Sequence, residues 1–337
     1  MKYILGIEST AHTFGVGVLD LDGRILSNVK DSYTTSEGGM IPMEVRKHHK
    51  RVADEVYKRA LENAGADEKD VECVSFSVAP GLAPCLLEGM DFAKKLAEKL
   101  GVELVGVNHS VAHLIIGESC GAKDPVMLYA SGANTQVVAY EGGKFRVFGE
   151  TLDLGVGNFI DTIGRTMKLG FPAGPRLEKL ASEFDGDLLE LPYVVKGMDV
   201  SFSGIQTKIR NLILSPIRDD PADPKGEDSG KLAFALQETV FAMLVEVVER
   251  ALAHTGKSEL LLGGGVACNA RLQEMCRKMC EDRGVKFFCP PKDLLVDNGA
   301  MIGYLGLKMF EAGLGTKDYD KVDIRPRERT DEVEVLW

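Results

Sequence analysis

Val126-Met127-Leu128-Tyr129-Ala130, Ser131-Gly132-Ala133-Asn134, then Thr135 to Tyr140: this stretch reads as an apolar strand, a tight polar loop and a second strand. Glu141-Gly142-Gly143 follows as a turn and Lys144 to Gly149 as a third strand. The chain opens the same way. Tyr3 to Glu8 is short and apolar, Thr13 to Asp20 is β-rich, Leu21-Asp22-Gly23 carries the Asp-Gly turn signal, and Arg24 to Val29 is a third strand. Behind the first triplet lie an amphipathic segment from Ile41 to Ala64, a strand from Val71 to Val78 and a helix from Leu86 to Leu100 stopped by Gly101. A strand from Val102 to Val107 and a helix from Ser110 complete that half. Behind the second triplet, helical stretches at 158–168, 175–184 and 231–254 precede a strand at Leu260 to Leu262. A helix at 268–281, a strand at Lys286 to Cys289 and a helix from Asn298 to Ala312 close it. From Gly313 onward, Lys, Asp, Arg and Glu dominate, which reads as a solvated extension.

A β-β-β-α-β-α unit repeated once per half predicts an α/β chain of the actin-like ATPase fold, with two duplicated subdomains and a cleft between them. The expected boundaries are 1–124, 125–325 and a tail at 326–337. A doubly wound α/β chain with two hairpins would show a similar pattern. In an actin-like fold the turn after each half's first strand faces the cleft, where backbone N–H groups can bind phosphate.

Composition agrees with a globular reading. The chain has 337 residues, 45% hydrophobic and 27% charged, with Gly 37 and Pro 13. Disorder, collagen and coiled coil are excluded. No apolar run reaches the roughly 18 residues a membrane span needs, so no membrane partner is expected. The first apolar run is interrupted at Glu8, too early for a signal peptide. Lys and Arg number 40 against 51 Asp and Glu, a net charge of −11. Such a chain does not coat nucleic acid by charge alone. Seven cysteines without a CxxC spacing read as reduced thiols, which points to the cytoplasm.

Several constellations carry chemistry. Asn108-His109-Ser110-Val111-Ala112-His113 puts two imidazoles at i, i+4 on one helix face, the spacing of a metal pair or of two partly buried histidines. No HExxH glutamate lies between them, so a zinc protease is not supported. Asp297 in Asp297-Asn298-Gly299-Ala300 is either the N-cap of the last helix or a carboxylate ligand on the cleft. Tyr129 to Thr135 is either a hairpin turn or a phosphate-cradling loop. Gly263-Gly264-Gly265 before Val266-Ala267-Cys268-Asn269 is either a flexible turn or a surface for a base and ribose; it is not GxGxxG. Asp161, after Gly155-Val156-Gly157, and Glu178, after Gly174-Pro175, could cap helices or bond ribose hydroxyls. Arg46-Lys47-His48-His49-Lys50-Arg51 is the dense basic run of the chain, a solvated helix face or a patch for RNA or a partner.

Taken in order, these motifs, with Gly6-Ile7-Glu8-Ser9-Thr10, Ser201-Phe202-Ser203-Gly204 and Asp297-Asn298-Gly299-Ala300-Met301, resemble the universal tRNA threonylcarbamoyladenosine family. That family supplies the catalytic subunit of the archaeal and eukaryotic KEOPS complex. Pro80-Gly81-Leu82-Ala83-Pro84-Cys85-Leu86 looks like the archaeal and eukaryotic branch. The resemblance implies transfer of a threonylcarbamoyl group from threonylcarbamoyl-AMP to N6 of adenosine 37, beside the anticodon, in tRNAs reading codons that begin with A. It implies one divalent metal per subunit, iron or zinc, held by His109, His113, Tyr129 and Asp297, the histidines and Asp297 acting catalytically through it. It implies adenylate binding by Tyr129, Ala130, Ser131, Gly132, Ala133, Asp161, Gly174, Glu178 and Asn269. The partners it implies are tRNA, a small atypical protein kinase and other small KEOPS subunits as separate chains. Two departures stand out. Ala133 occupies a place usually held by Gly, and is strained if its φ is positive; Ala79 replaces a usual Gly before Pro80. Rival readings are a small-molecule kinase or carbamoyltransferase on the same fold, or a non-catalytic nucleotide-binding scaffold.

Overall fold

The computed structural model describes residues 1–35, 40–213 and 227–337. The first half runs β1 (Tyr3–Glu8), β2 (Thr13–Asp20), β3 (Ile25–Ser32), α1 (Pro42–Ala64), β4 (Val71–Ala79), α2 (Ala83–Leu100), β5 (Glu103–Asn108) and α3 (His109–Ile115). The second runs β6 (Val126–Ala130), β7 (Thr135–Glu141), β8 (Lys144–Glu150), α4 (Val156–Thr166), α5 (Gly174–Ser182), the hairpin β9 (Val195–Lys196) and β10 (Asp199–Val200), α6 (Ser203–Ile213) and α7 (Glu227–Thr255). It ends with β11 (Glu259–Gly263), α8 (Ala270–Arg283), β12 (Lys286–Phe288), α9 (Lys292–Leu295) and α10 (Gly299–Glu311).

Each half builds a five-stranded mixed sheet of the same topology, β3-β2-β1-β4-β5 and β8-β7-β6-β11-β12. In both, the hairpin strands pair antiparallel and the last two pair parallel. The duplication expected from the repeated strand triplet is therefore present in the hydrogen bonding. The central strands are buried on both faces, which is why they read as continuous apolar runs. Alternate residues nonetheless go to different cores. Leu5 and Ile7 pack with Val52, Val56, Ala93 and Leu96 of α1 and α2. Val126 and Leu128 pack with Phe159, Phe241 and Val248 of the far helical layer. Ile4 from one sheet and Met127 and Tyr129 from the other meet a middle layer made by α3 and α10.

The middle layer depends on glycine. A Cβ on Gly6 would lie 2.1 Å from the Gly303 nitrogen and 2.2 Å from the Gly299 oxygen. One on Gly17 would lie 2.4 Å from the Ala300 nitrogen, and one on Gly306 would lie 2.3 Å from Ser75 Cβ. Backbone meets backbone here, so α10, though late in sequence, lies directly on β1 and β2 of the first sheet. Ser75 reinforces the contact by donating to the Leu5 and Ile302 carbonyls at 2.7 and 3.2 Å.

The chain beyond Gly313 is not a solvated extension. Thr316 pairs with Leu104 on β5, and the Tyr319 hydroxyl donates to the Val102 carbonyl at 2.6 Å. Arg325 N–H donates to the Val78 carbonyl, and Thr330 is 2% exposed against the second half. Lys144 of β8 pairs with Glu334. The charged side chains point outward while the backbone and the residues between them are docked, so composition alone misreads the segment. The β9–β10 hairpin and α9 also escape the sequence reading, being too short to register, and α6 escapes it although Ile205, Ile209 and Ile213 repeat every four residues on its buried face.

Gly6→Ala is expected to lower the unfolding midpoint by more than a surface substitution does. The added methyl forces helix and sheet apart, at about 1–3 kcal/mol or more for overpacking. A thermal or urea midpoint equal to wild type would show that α10 can lift off the sheet without cost.

Candidate metal and nucleotide site

Asn108 ends β5 and caps α3, its Oδ1 accepting from the Ser110 and Val111 amides at 3.0 and 3.2 Å. The cap aims His109 and His113 along one face, and every residue of α3 is buried. The Glu8 carboxylate, fully buried at the end of β1, accepts from His109 Nδ1 at 2.8 Å, and its other oxygen takes the Thr10 amide at 2.7 Å. In neutral His109 the proton given to Glu8 leaves the Nε2 lone pair free, and Nε2 lies 3.5 Å from Asp297 Oδ1. His113 Nε2 lies 3.5 Å from the same oxygen. Neither His113 ring nitrogen has a hydrogen-bond partner, although both are buried.

Asp297 is not the cap of α10. Asn298 is, accepting from the Met301 amide at 3.0 Å. Asp297, one residue earlier, is thereby left to face the histidines. Burial alone would raise its carboxyl. The nearby edge of His113 and the charges of His109 and His12 outweigh that and hold it well below the usual range. Burial pulls His109 down, but Glu8 and Asp297 push it up to about 9, while burial dominates at His113 and lowers it. Tyr129 is buried with its ring 5.0 Å from His113, and burial with the Asp297 charge pushes its phenol up.

One ligand atom from each of His109, His113 and Asp297 falls within 4.8 Å of the others, so these three could hold a metal ion. Donors at zinc-like distances stand roughly 3.3 Å apart around one ion, so small side-chain shifts would close the set. The two His113 ring nitrogens, buried and without hydrogen-bond partners beside a second imidazole, fit a cation ligand better than a packed core.

The loop of Ser131-Gly132-Ala133-Asn134 closes on itself, the Ser131 amide donating to the Asn134 carbonyl at 2.8 Å. The first amides of α4 are spent on this loop: Gly157 and Asn158 donate to the Ser131 and Gly132 carbonyls, each at 3.0 Å. Among the described residues, Lys168 is the only non-glycine with positive φ, so Ala133 carries no such strain. Gly264 sits at φ +89°, where a Cβ would lie 2.4 Å from the Ala130 carbonyl. The chain's own approach to β6 therefore accounts for that glycine.

Asp161 and Glu178 cap no helix of their own. Asp161, within α4, accepts from the Ala173 amide at 2.8 Å, which draws the loop before Gly174 onto α4, and burial raises its carboxyl. Glu178, within α5, accepts from the Ala270 amide at 2.7 Å at the start of α8. Asn269 caps α8 through the Arg271 and Leu272 amides and donates to Gln237 at 3.0 Å. All three are struts between helices of the second half.

Glu8 and Thr10 escape the residue-by-residue reading; a carboxylate ending a buried apolar strand is the signal that could have found them. The basic run changes character. Arg46 is paired with Glu88 and Asp91, and His48 and His49 are buried. His48 Nε2 meets Asp31 at 2.7 Å, and His49 Nε2 donates to the Ala11 carbonyl at 2.9 Å. Lys50 and Arg51 are exposed and make no ion pair among the described residues.

Metal analysis of the His109→Ala/His113→Ala variant should show near-complete loss of a metal that the wild type retains; unchanged content would remove the assignment. Burial pushes His49 down to about 4. The unfolded chain then binds the extra proton first, so stability contributed by His49 is full above about pH 6.5 and falls as pH drops toward 4. The span is about 3 kcal/mol at about 1.4 kcal/mol per unit. His49→Gln should flatten that part of the stability–pH curve, and an unchanged slope would contradict it.

A family model for tRNA N6-adenosine threonylcarbamoyltransferase matches residues 24–304. A relative of that name from Thermococcus kodakarensis is 51% identical over 99% of both chains, and one from Archaeoglobus fulgidus 48% over 99% of both. A probable bifunctional tRNA threonylcarbamoyladenosine biosynthesis protein from Methanocorpusculum labreanum is 48% identical over all of this chain and 61% of its own length. Among solved structures, full-length HypF in its phosphate- and nucleotide-bound form superposes with TM-score 0.57 at 13% identity, over 92% of this chain and 47% of its own. The Acidaminococcus fermentans (R)-2-hydroxyglutaryl-CoA dehydratase component A gives TM-score 0.51 at 13% identity, over 91% of this chain and 100% of its own. These two show the actin-like fold alone. The sequence matches go further: this chain belongs to the tRNA N6-adenosine threonylcarbamoyltransferase family.

Proposed function

We propose that the chain transfers the threonylcarbamoyl group of threonylcarbamoyl-AMP to N6 of adenosine 37 in tRNAs reading codons that begin with A. The observation that carries this reading is the His109–His113–Asp297 cluster, two buried imidazoles beside a part-buried carboxylate, in a chain of this family. N6 of adenosine is a weak nucleophile. It adds to the carbamoyl carbon, the bond from that carbon to the phosphate oxygen breaks, AMP leaves and N6 gives up one proton. A divalent cation, iron or zinc, held by His109, His113 and Asp297 with Tyr129 beside them, would supply Lewis-acid polarisation of the carbamoyl carbonyl.

The remaining work falls to the chain's own groups. Glu8 fixes the His109 ring through Nδ1. The buried setting of α3 and Tyr129 excludes water from the acyl group. On the nucleotide side the reading assigns Tyr129, Ala130, Ser131, Gly132 and Ala133 to the phosphate, and Asp161, Gly174, Glu178 and Asn269 to ribose and base. Support comes from the exposure of Gly132 and Ala133 and from the half-burial of Asp161, Glu178 and Asn269, whose strut bonds leave further lone pairs. A small atypical protein kinase and other small subunits act as separate chains in this reading, in the cytoplasm. No helix among the described residues is long and apolar enough to cross a membrane.

Incubating the chain with partner subunits, tRNA, threonine, bicarbonate, ATP and the adenylate-forming synthase should yield the modified nucleoside by mass spectrometry. Adenylate binding without product would leave the scaffold reading standing instead. For the tRNA path, Lys50→Glu with Arg51→Glu should weaken binding in the assembled complex and flatten the salt slope by about one unit per lost phosphate contact. Arg46 is set aside for this test because Glu88 and Asp91 already hold it. Wild-type affinity across a salt titration would move the path elsewhere.

A further inference from the structure

The docked C-terminal segment touches both halves and passes the metal helix. On the first half, the Gly81 amide donates to the Pro326 carbonyl at 3.2 Å. On the second, Arg329 pairs with Glu150 at 3.2 Å and Thr330 donates to Gln136 at 3.3 Å. Between these anchors, Glu328 Oε2 accepts from Asn108 Nδ2 at 3.0 Å. Asn108 is the residue whose other side-chain atom, Oδ1, caps α3.

We propose that Glu328 is a positioning residue of the His109–His113–Asp297 centre, acting through Asn108 to fix the start of α3. The proposal rests on reading that centre as a metal site. Three observations carry it. First, α3 has seven residues, too few to hold its own shape, so its end groups decide where the helix begins. Second, an Asn cap can rotate its amide; Glu328 accepts only, so it selects the orientation in which Nδ2 points to the tail and Oδ1 to the helix. Third, Glu328 is itself restrained, its side chain 12% exposed and its other oxygen held by Arg325. A shift of the cap rotates both imidazoles together, because His109 follows Asn108 directly and His113 lies one turn on.

The test uses the full chain and cobalt(II), whose absorption reports ligand geometry, with a competing chelator to give affinity. Glu328→Ala should weaken cobalt binding about tenfold, the lower end for residues that orient metal ligands, and alter the visible band. Glu328→Gln keeps an acceptor and should bind within about threefold of wild type. Arg329→Ala loosens the same segment without touching Asn108 and should leave affinity and spectrum unchanged. Glu328→Ala with wild-type affinity and spectrum overturns the proposal. Equal losses in Glu328→Ala and Arg329→Ala also overturn it, since the segment would then act only as general support. If His113→Ala binds cobalt as tightly as wild type, the metal reading itself fails, and the result is told apart from failure of the positioning role.

Discussion

Contact without side chains between α10 and the β1–β2 pair is the constraint on which the rest of the structure depends. Gly299 and Gly303 are one turn apart and bring the helix backbone onto Gly6 and Gly17. The spacing of helix and sheet is then set by their backbones, because a Cβ at Gly6, Gly17 or Gly299 would meet main-chain atoms at 2.1 to 2.4 Å. The start of α10 is placed by that spacing. Asn298 closes the helix end, and Asp297 emerges beside α3. Had Asp297 been the cap, its carboxylate would have been spent on backbone amides.

The electrostatics follow from burial. Glu8, fully buried, and Asp297, largely buried at 17% side-chain exposure, are two carboxylates within reach of two imidazoles. Unpaired, either charge would be costly. Glu8 is matched by the Thr10 amide and hydroxyl and by His109, so its carboxylate is held in place and orients the ring. Asp297 has His109 and His113 at 3.5 Å and the Lys30 charge in its surroundings, and neither ring nitrogen of His113 has a hydrogen-bond partner. The two halves of the cluster therefore differ: one is satisfied by protein alone, and the other leaves the His113 ring nitrogens open to a ligand.

Legibility tracked the range of each interaction. The duplicated strand triplets, α1, α2 and α10 were readable because apolar periodicity, Asp-Gly turns and C-terminal glycines are local signals. The i, i+4 histidines were readable because one helix turn sets their geometry. Asp297 was readable as a candidate with cap and ligand both open, since the choice between Asp297 and Asn298 as cap is made by packing of α10 on a sheet nearly three hundred residues earlier. Glu8, Asn108 and Glu328 join segments far apart in sequence, and no local pattern announces such bonds. The charged tail misled because charge density reports side chains, whereas docking here is largely backbone hydrogen bonding with Thr330 and Trp337 turned inward. The run at 46–51 misled for the opposite reason: four of its six residues are pairing or buried, and only the helix phase tells which.

The glycine contact also explains where the two chemistries lie. The duplicated sheets are alike, yet their connections are not. After the first sheet comes a single short helix, α3, carrying the histidines; after the second triplet come α4 to α8, whose carboxylates and amides brace one another around the 131–134 loop. The metal-type ligands thus come from the last strand-to-helix junction of one half and from the terminal helix of the other, which crosses back. Neither half alone contains the cluster. Because the closing contact is between residues such as Gly6 and Gly303, the site forms only when these distant parts of the chain have met. A cation bound there would favour the folded chain over the unfolded one, so its binding would add to the stability of the fold that docks α10.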